Sequence, residues 1–199
     1  MRASQSRRML FVHVQKTGGS SVQRILDEHL PDCTPLYPKH RSLAKTLKQH
    51  PELADYWTFG FVRNPWTRMV SWWSMIQGLK ERAPQHRFFA NQAMWRDVAA
   101  YPDFDTFVIQ GPQRYRRLGT PQLSYLRAKG GRRADFIGRT ESFELDMRAV
   151  MARLDLPQVE IPHLTRSEHG DHRDYYSAAS RARVADLFHP DIRAFGYDF

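Results

Sequence analysis

The feature that most narrows what this chain can fold into is an order: an apolar run, a polar turn with two adjacent glycines, then an amphipathic helix. Met9 to Val14 is the run, and Gln15-Lys16-Thr17-Gly18-Gly19-Ser20-Ser21 is the turn. Val22, Ile25, Leu26 and Leu30 then share one helical face before Pro31 stops the pattern. A continuous apolar run reads as a strand buried on both faces, and parallel strands need a crossover connection, which the helix supplies. The order recurs. Trp57 to Val62 reads as a strand closed by Arg63-Asn64-Pro65, with Pro65 suited to a first helical turn. Trp66, Met69, Val70, Trp73 and Ile76 mark the buried face of the helix that follows, as far as Gly78. Asp135 to Gly138 is a third strand, followed by Arg139-Thr140-Glu141 and a helix carrying Phe143, Met147, Val150, Met151 and Leu154.

Glu81 to Gly131 reads as helices and loops, with one helix around Phe104 to Ile109; Ser177 to Phe188 is helical, and Phe195-Gly196-Tyr197 forms a terminal aromatic plug. No repeat, linker or low-complexity tract interrupts the pattern. The expected architecture is a single α/β domain over residues 1–199, P-loop-like, with a central parallel β-sheet flanked by helices. Composition permits it: 199 residues, 41% hydrophobic and 13% aromatic, can bury a core without staples, and a disordered chain is excluded.

Charge and cysteine usage narrow the partners. Thirty Lys and Arg against 21 Asp and Glu leave a formal +9, which favours an anionic ligand. The lone Cys33 forbids an internal disulfide and any zinc site built on several thiolates, so a reducing, cytoplasmic setting is expected. The apolar start, Met9-Leu10-Phe11-Val12, is too short for a membrane span or the core of a signal peptide. No integral membrane segment is expected.

A turn between a parallel strand's carboxyl end and a helix start is where such sheets hold ligands. The unpaired N–H groups of the first helical turn and the helix dipole attract an anion. Gly18 and Gly19 let backbone approach it closely, Ser20 and Ser21 can cap or donate, and Lys16 adds a full charge. This is not the kinase loop Gly-x-x-x-x-Gly-Lys-Ser/Thr, because Lys16 precedes the glycines. At the mouth of the loop a lysine is placed to neutralise the oxygen of a leaving group. In the second unit, Arg63 at a strand end and Ser71 on the helix offer paired N–H donors and a hydroxyl for a second phosphate.

Together, Lys16-Thr17-Gly18-Gly19-Ser20-Ser21 and Arg63-Asn64-Pro65-Trp66-Thr67-Arg68-Met69-Val70-Ser71 resemble the sulfotransferases that use 3′-phosphoadenosine 5′-phosphosulfate, in particular their carbohydrate branch. Phe136-Ile137-Gly138-Arg139-Thr140-Glu141 and Phe195-Gly196-Tyr197 extend the resemblance over nearly the whole chain. It implies the sulfotransferase fold and transfer of a sulfuryl group to a hydroxyl, of a carbohydrate or glycolipid acceptor, with the nucleotide as co-substrate and no metal. It also implies that Lys16, Thr17, Gly18, Gly19, Ser20 and Ser21 cradle the 5′-phosphosulfate. Arg63 and Ser71 would bind the 3′-phosphate, and Thr165, Arg166 and Ser167, in Pro162 to Ser167, would belong to a loop closing over the nucleotide.

Sulfuryl transfer needs positioning, charge stabilisation and a base for the acceptor hydroxyl. Lys16 serves the departing phosphate. His40, in Pro38-Lys39-His40-Arg41-Ser42, resembles the His-x-Ser position that carries the base in glycan-sulfating relatives, and histidine titrates near neutrality. His13 is expected inside the first strand as a hydrogen-bonded core residue. His163, His169 and His172 near Asp171 match no metal-ligand spacing. Arg114, Arg116, Arg117, Arg127, Lys129, Arg132 and Arg133 form a basic stretch that reads as solvated surface or as the lining of an acceptor cleft. Two other classes compete: a P-loop-like nucleotide kinase, disfavoured by the residue order of the loop, and a basic nucleic-acid-binding module, which lacks a reader motif.

Overall fold

The computed structural model describes residues 1–161 and 170–199. The expected loop Pro162 to Ser167, with Thr165, Arg166 and Ser167, lies outside the described residues, as do His163 and His169. The chain forms two compact units, one built from Met1–Arg63 and the segment beginning at Gln122, the other from Asn64–Pro121 and the segment ending at Phe199.

The first unit holds a five-stranded sheet: β1 (Arg2–Ser4), β2 (Met9–Val12), β3 (Thr34–Pro35), β4 (Trp57–Val62) and β5 (Phe136–Arg139), in the order β3-β1-β2-β4-β5. β2, β4 and β5 are parallel; β1 pairs antiparallel with β2 and with β3, so the sheet is mixed around a parallel core. β2 is wholly buried, and five of the six residues of β4 are, as continuous apolar runs require. The register sets Phe11 beside Phe59 and Phe59 beside Phe136, and the first pair stacks with ring centroids 5.1 Å apart.

Helix α1 (Gly19–His29) lays Val22, Ile25 and Leu26 into this core, and the helix Phe143–Arg153 contributes Met147, Val150 and Met151. Burying each such side chain stabilises by roughly 1.5–3 kcal/mol. α2 (Leu43–Gln49) is capped by Ser42, whose hydroxyl accepts from the Lys45 N–H. The strand expected over Met9–Val14 ends at Val12, so His13 lies after the strand and not within it.

The second unit is helical. α3 (Pro65–Arg82) packs its Trp66, Met69, Val70, Trp72 and Ile76 with residues of the helices Ala93–Ala100, Phe104–Arg114 and Ala178–Leu187. The expected face is correct except at one tryptophan. Trp72 is the fully buried ring, while Trp73 is half-buried against Phe107 at 5.6 Å. The helix expected near Phe104–Ile109 continues to Arg114 with Pro112 in its last turn. Phe195 and Tyr197 are both buried, as the aromatic plug requires, and Gly196 between them ends the last helix at φ 64°.

Candidate functional site

The loop after β2 is shaped by backbone conformations that its residues make possible. Lys16 sits at φ 67° and Gly18 at φ 74°, so the chain turns through the left-handed region twice within three residues. Glycine adopts that region freely, whereas a lysine held there carries strain. The Thr17 hydroxyl donates to the Val14 carbonyl at 3.0 Å and ties the turn from inside. Gly18 is the N-cap of α1, and among the described residues no side chain caps that helix. The Ser21 N–H already donates to the Gly18 carbonyl at 3.0 Å, so it is the N–H groups of Gly19 and Ser20 that have no partner within the helix and are placed to meet an anion. The second glycine is required by packing. A Cβ on Gly19 would lie 2.3 Å from both Cδ2 and Nε2 of His13.

Lys16 is half-buried. Burial, and after it the neighbouring Arg63 guanidinium, pulls its ammonium down to about 7. The two cations sit close enough to repel, which suits a site that receives a polyanion. Parallel pairing places the carboxyl ends of β2, β4 and β5 at one edge of the sheet, and Arg63 directly follows β4 there.

Sequence reasoning missed the residue that holds Arg63. Gln122 is fully buried; its side-chain carbonyl accepts the Arg63 N–H at 2.9 Å, and its amide donates to the Arg63 carbonyl at 2.7 Å. It satisfies both backbone groups as a neighbouring strand would. A lone glutamine in a polar stretch carries no signal of this role.

His40 is half-buried ahead of α2, and its Nδ1 lies 3.0 Å from the His13 carbonyl. A carbonyl only accepts, so Nδ1 carries the proton and Nε2 is the basic nitrogen. The two imidazoles meet edge to face, with centroids 4.6 Å apart and planes at 74°. His13 is buried, as expected of a core histidine, but its Nδ1 finds no hydrogen-bond partner among the described residues. Leaving such a group unsatisfied costs about 1–3 kcal/mol. Burial first, then His40, pushes His13 far below its ordinary value, so it stays neutral.

The first unit therefore brings together Lys16, Thr17, Gly18, Gly19, Ser20, Ser21, His40 and Arg63. Ser71 lies on α3 in the second unit and is buried. Arg68, from the same motif, is buried too: it donates to the Thr120 carbonyl at 3.3 Å and lies over the Phe188 ring. Trp66 is core, its indole N–H donating to the Arg181 carbonyl at 3.1 Å. Within the basic stretch, Arg114 pairs with Asp97 at 2.6 Å and Arg132 donates to the Ala54 and Tyr56 carbonyls, so both brace local structure.

Such a site can hold an anion, neutralise charge beside it and remove a proton. Among the described residues no helix is long and apolar enough to cross a membrane. Compared with known families, the chain matches the sulfotransferase family model over residues 1–198. Neither curated proteins nor solved structures yield a match.

Proposed function

Since the chain belongs to the sulfotransferase family, which draws its sulfuryl group from 3′-phosphoadenosine 5′-phosphosulfate, we propose that it delivers that group to a hydroxyl of a carbohydrate or glycolipid. One observation carries the reading: an uncapped helix start, a lysine at its mouth and a histidine with a basic Nε2 converge within a single unit. The nucleotide supplies the group that moves; the chain supplies position and charge. The donor set suits its phosphates: a glycine-started helix with no side-chain cap among the described residues, with Lys16 and Arg63 as neighbouring cations.

Lys16 neutralises charge growing on the leaving 5′-phosphate while the first N–H groups of α1 hold that phosphate. Arg63, its backbone clamped by Gln122, presents a guanidinium to the 3′-phosphate. The assignments of Ser71 to the same phosphate, and of Thr165, Arg166 and Ser167 to a closing loop, rest on the sequence resemblance. His40 takes the acceptor proton on Nε2, and the His13 carbonyl supports the imidazolium through Nδ1–H. The carbohydrate acceptor rests on the likeness of the two motifs and the His40 region to the glycan-sulfating branch.

Two measurements test this. Adenosine 3′,5′-bisphosphate without magnesium, at a hundredfold over its Kd, should raise Tm by roughly 5–10 °C. A shift seen only with magnesium and ATP would return the chain to the kinase class. Incubation with labelled donor and a panel of glycans, glycolipids, phenols and peptides, read by mass spectrometry, should mark the sugars. Labelling confined to phenols or peptides would remove the carbohydrate assignment.

A further inference from the structure

His13 touches both halves of the proposed chemistry. Its ring lies against the α-carbon of Gly19, so close that a Cβ there would come within 2.3 Å of two ring atoms. Its other neighbour is the His40 imidazole, at 4.6 Å and nearly perpendicular. Its backbone carbonyl receives the His40 Nδ1–H at 3.0 Å. Phe11 closes a further side at 5.5 Å, and only 4% of the residue is exposed. One residue thus meets the first residue of the donor helix through its ring and meets His40 through ring and carbonyl together.

We infer that His13 is a positioning residue, the wedge that sets the His40 base at a fixed distance and angle from the donor loop. This rests on the assignment of His40 as the base. A residue kept only to fill space would be served by an apolar side chain; this one retains a buried Nδ1 with no hydrogen-bond partner among the described residues. Because burial keeps His13 neutral, it sets no second positive charge beside His40 when His40 takes up the acceptor proton. Reacting groups misplaced by about 1 Å lose on the order of a hundredfold in rate, so a wedge at this point has leverage on turnover.

A double-mutant cycle on the full chain tests the inference. His13→Ala should lower kcat by about ten- to a hundredfold, with the Kd for adenosine 3′,5′-bisphosphate changed less than about threefold. In the His40→Ala background the same substitution should cost less than about threefold in kcat, because the group being positioned is gone. A loss carried undiminished into that background, or an unchanged kcat in folded His13→Ala, overturns the inference and leaves the base assignment standing. If His40→Ala itself leaves kcat unchanged, the base assignment fails and this inference with it. Should His13→Ala not fold by circular dichroism, His13→Ser, which also removes the ring but keeps a small polar side chain, is carried through the same cycle with the same criteria.

Discussion

The two strand-to-helix turns that carry the motifs solve the same local problem in opposite ways. After β2, Gly18 is the N-cap of α1 and no side chain caps it among the described residues, so the Gly19 and Ser20 N–H groups have no partner within the helix, while the Ser21 N–H donates to the Gly18 carbonyl. After β4, the Asn64 side chain accepts from the Trp66 N–H at 2.9 Å and the Thr67 N–H at 3.4 Å, while Pro65 removes another donor outright. The start of α3 is satisfied by its own sequence. On the proposed function, the first turn would bind through backbone, and the second through side chains, Arg63 with Ser71. The difference teaches that two motifs of one family need not present the same kind of helix start: one leaves backbone donors open beside a lysine, the other closes its own donors and sets an arginine on a clamped strand end.

The largest effect should come from Lys16→Ala. With the backbone cradle intact, nucleotide affinity should fall less than about tenfold, while kcat drops on the order of a hundred- to a thousandfold, as expected for removing charge stabilisation at a leaving group. Arg63→Ala should show the reverse. Donor affinity should weaken roughly ten- to a hundredfold, the range of a charge-assisted hydrogen bond, with kcat at saturating donor within a few-fold of the parent. Steady-state kinetics with the donor varied separate the two. Equal losses of kcat and affinity in both variants would erase the distinction between the turns.

A smaller, pH-dependent effect sharpens the same contrast. Folded Lys16 titrates near 7 against an ordinary 10.5, so between those values the unfolded chain holds a proton that the folded one lacks, and stability gains with rising pH across that window. A bound polyanion favours the charged ammonium, so binding above pH 7 takes up a proton. Affinity for adenosine 3′,5′-bisphosphate should then fall as pH rises from 7.5 to 9, by at most about tenfold per unit. Its phosphates, with second pKa near 6, are already ionised in that range. Titration calorimetry in buffers of different ionisation enthalpy should record uptake of up to one proton, absent in Lys16→Ala. No uptake in the parent would show that the lysine stays charged in the empty cradle.

What was legible in the sequence follows from how local each cause is. Trp57–Val62 matches the expected strand residue for residue, because a strand buried along nearly its whole length shows as a short, largely apolar run. Gly19 to Ser21, expected in the turn, form the first turn of α1, since small polar residues suit either state until the tertiary structure decides. β1 and β3 span three residues and two, too few for any period to show, and their pairing draws on Asp32, whose carboxylate accepts from the Ser4 hydroxyl at 2.8 Å and the Ser6 N–H at 2.8 Å. Of the site, the ligand-facing loop was legible because glycine spacing and charge are local. Gln122, 59 residues from the backbone it holds, and the wedge between Gly19 and His40 were not, because both depend on distant chain segments brought together only by folding.

The smallest effect is the most discriminating for the comparison. Asn64→Ala removes the side chain that satisfies the first turn of α3, which should cost about 1 kcal/mol of stability. In a chain of this length that is a Tm lower by roughly 2–4 °C. If the start of α3 is closed to anions in the parent, nothing that binds donor is lost, and the nucleotide Kd should stay within about twofold. If α3 instead shares in binding, baring its N–H groups should tighten the nucleotide measurably, because an uncapped helix start attracts anions as α1 does. Tm and Kd measured on the same variant thus separate a cap that only holds the helix from one that also keeps an anion away, and a tighter Kd would show that both turns have the makings of a cradle.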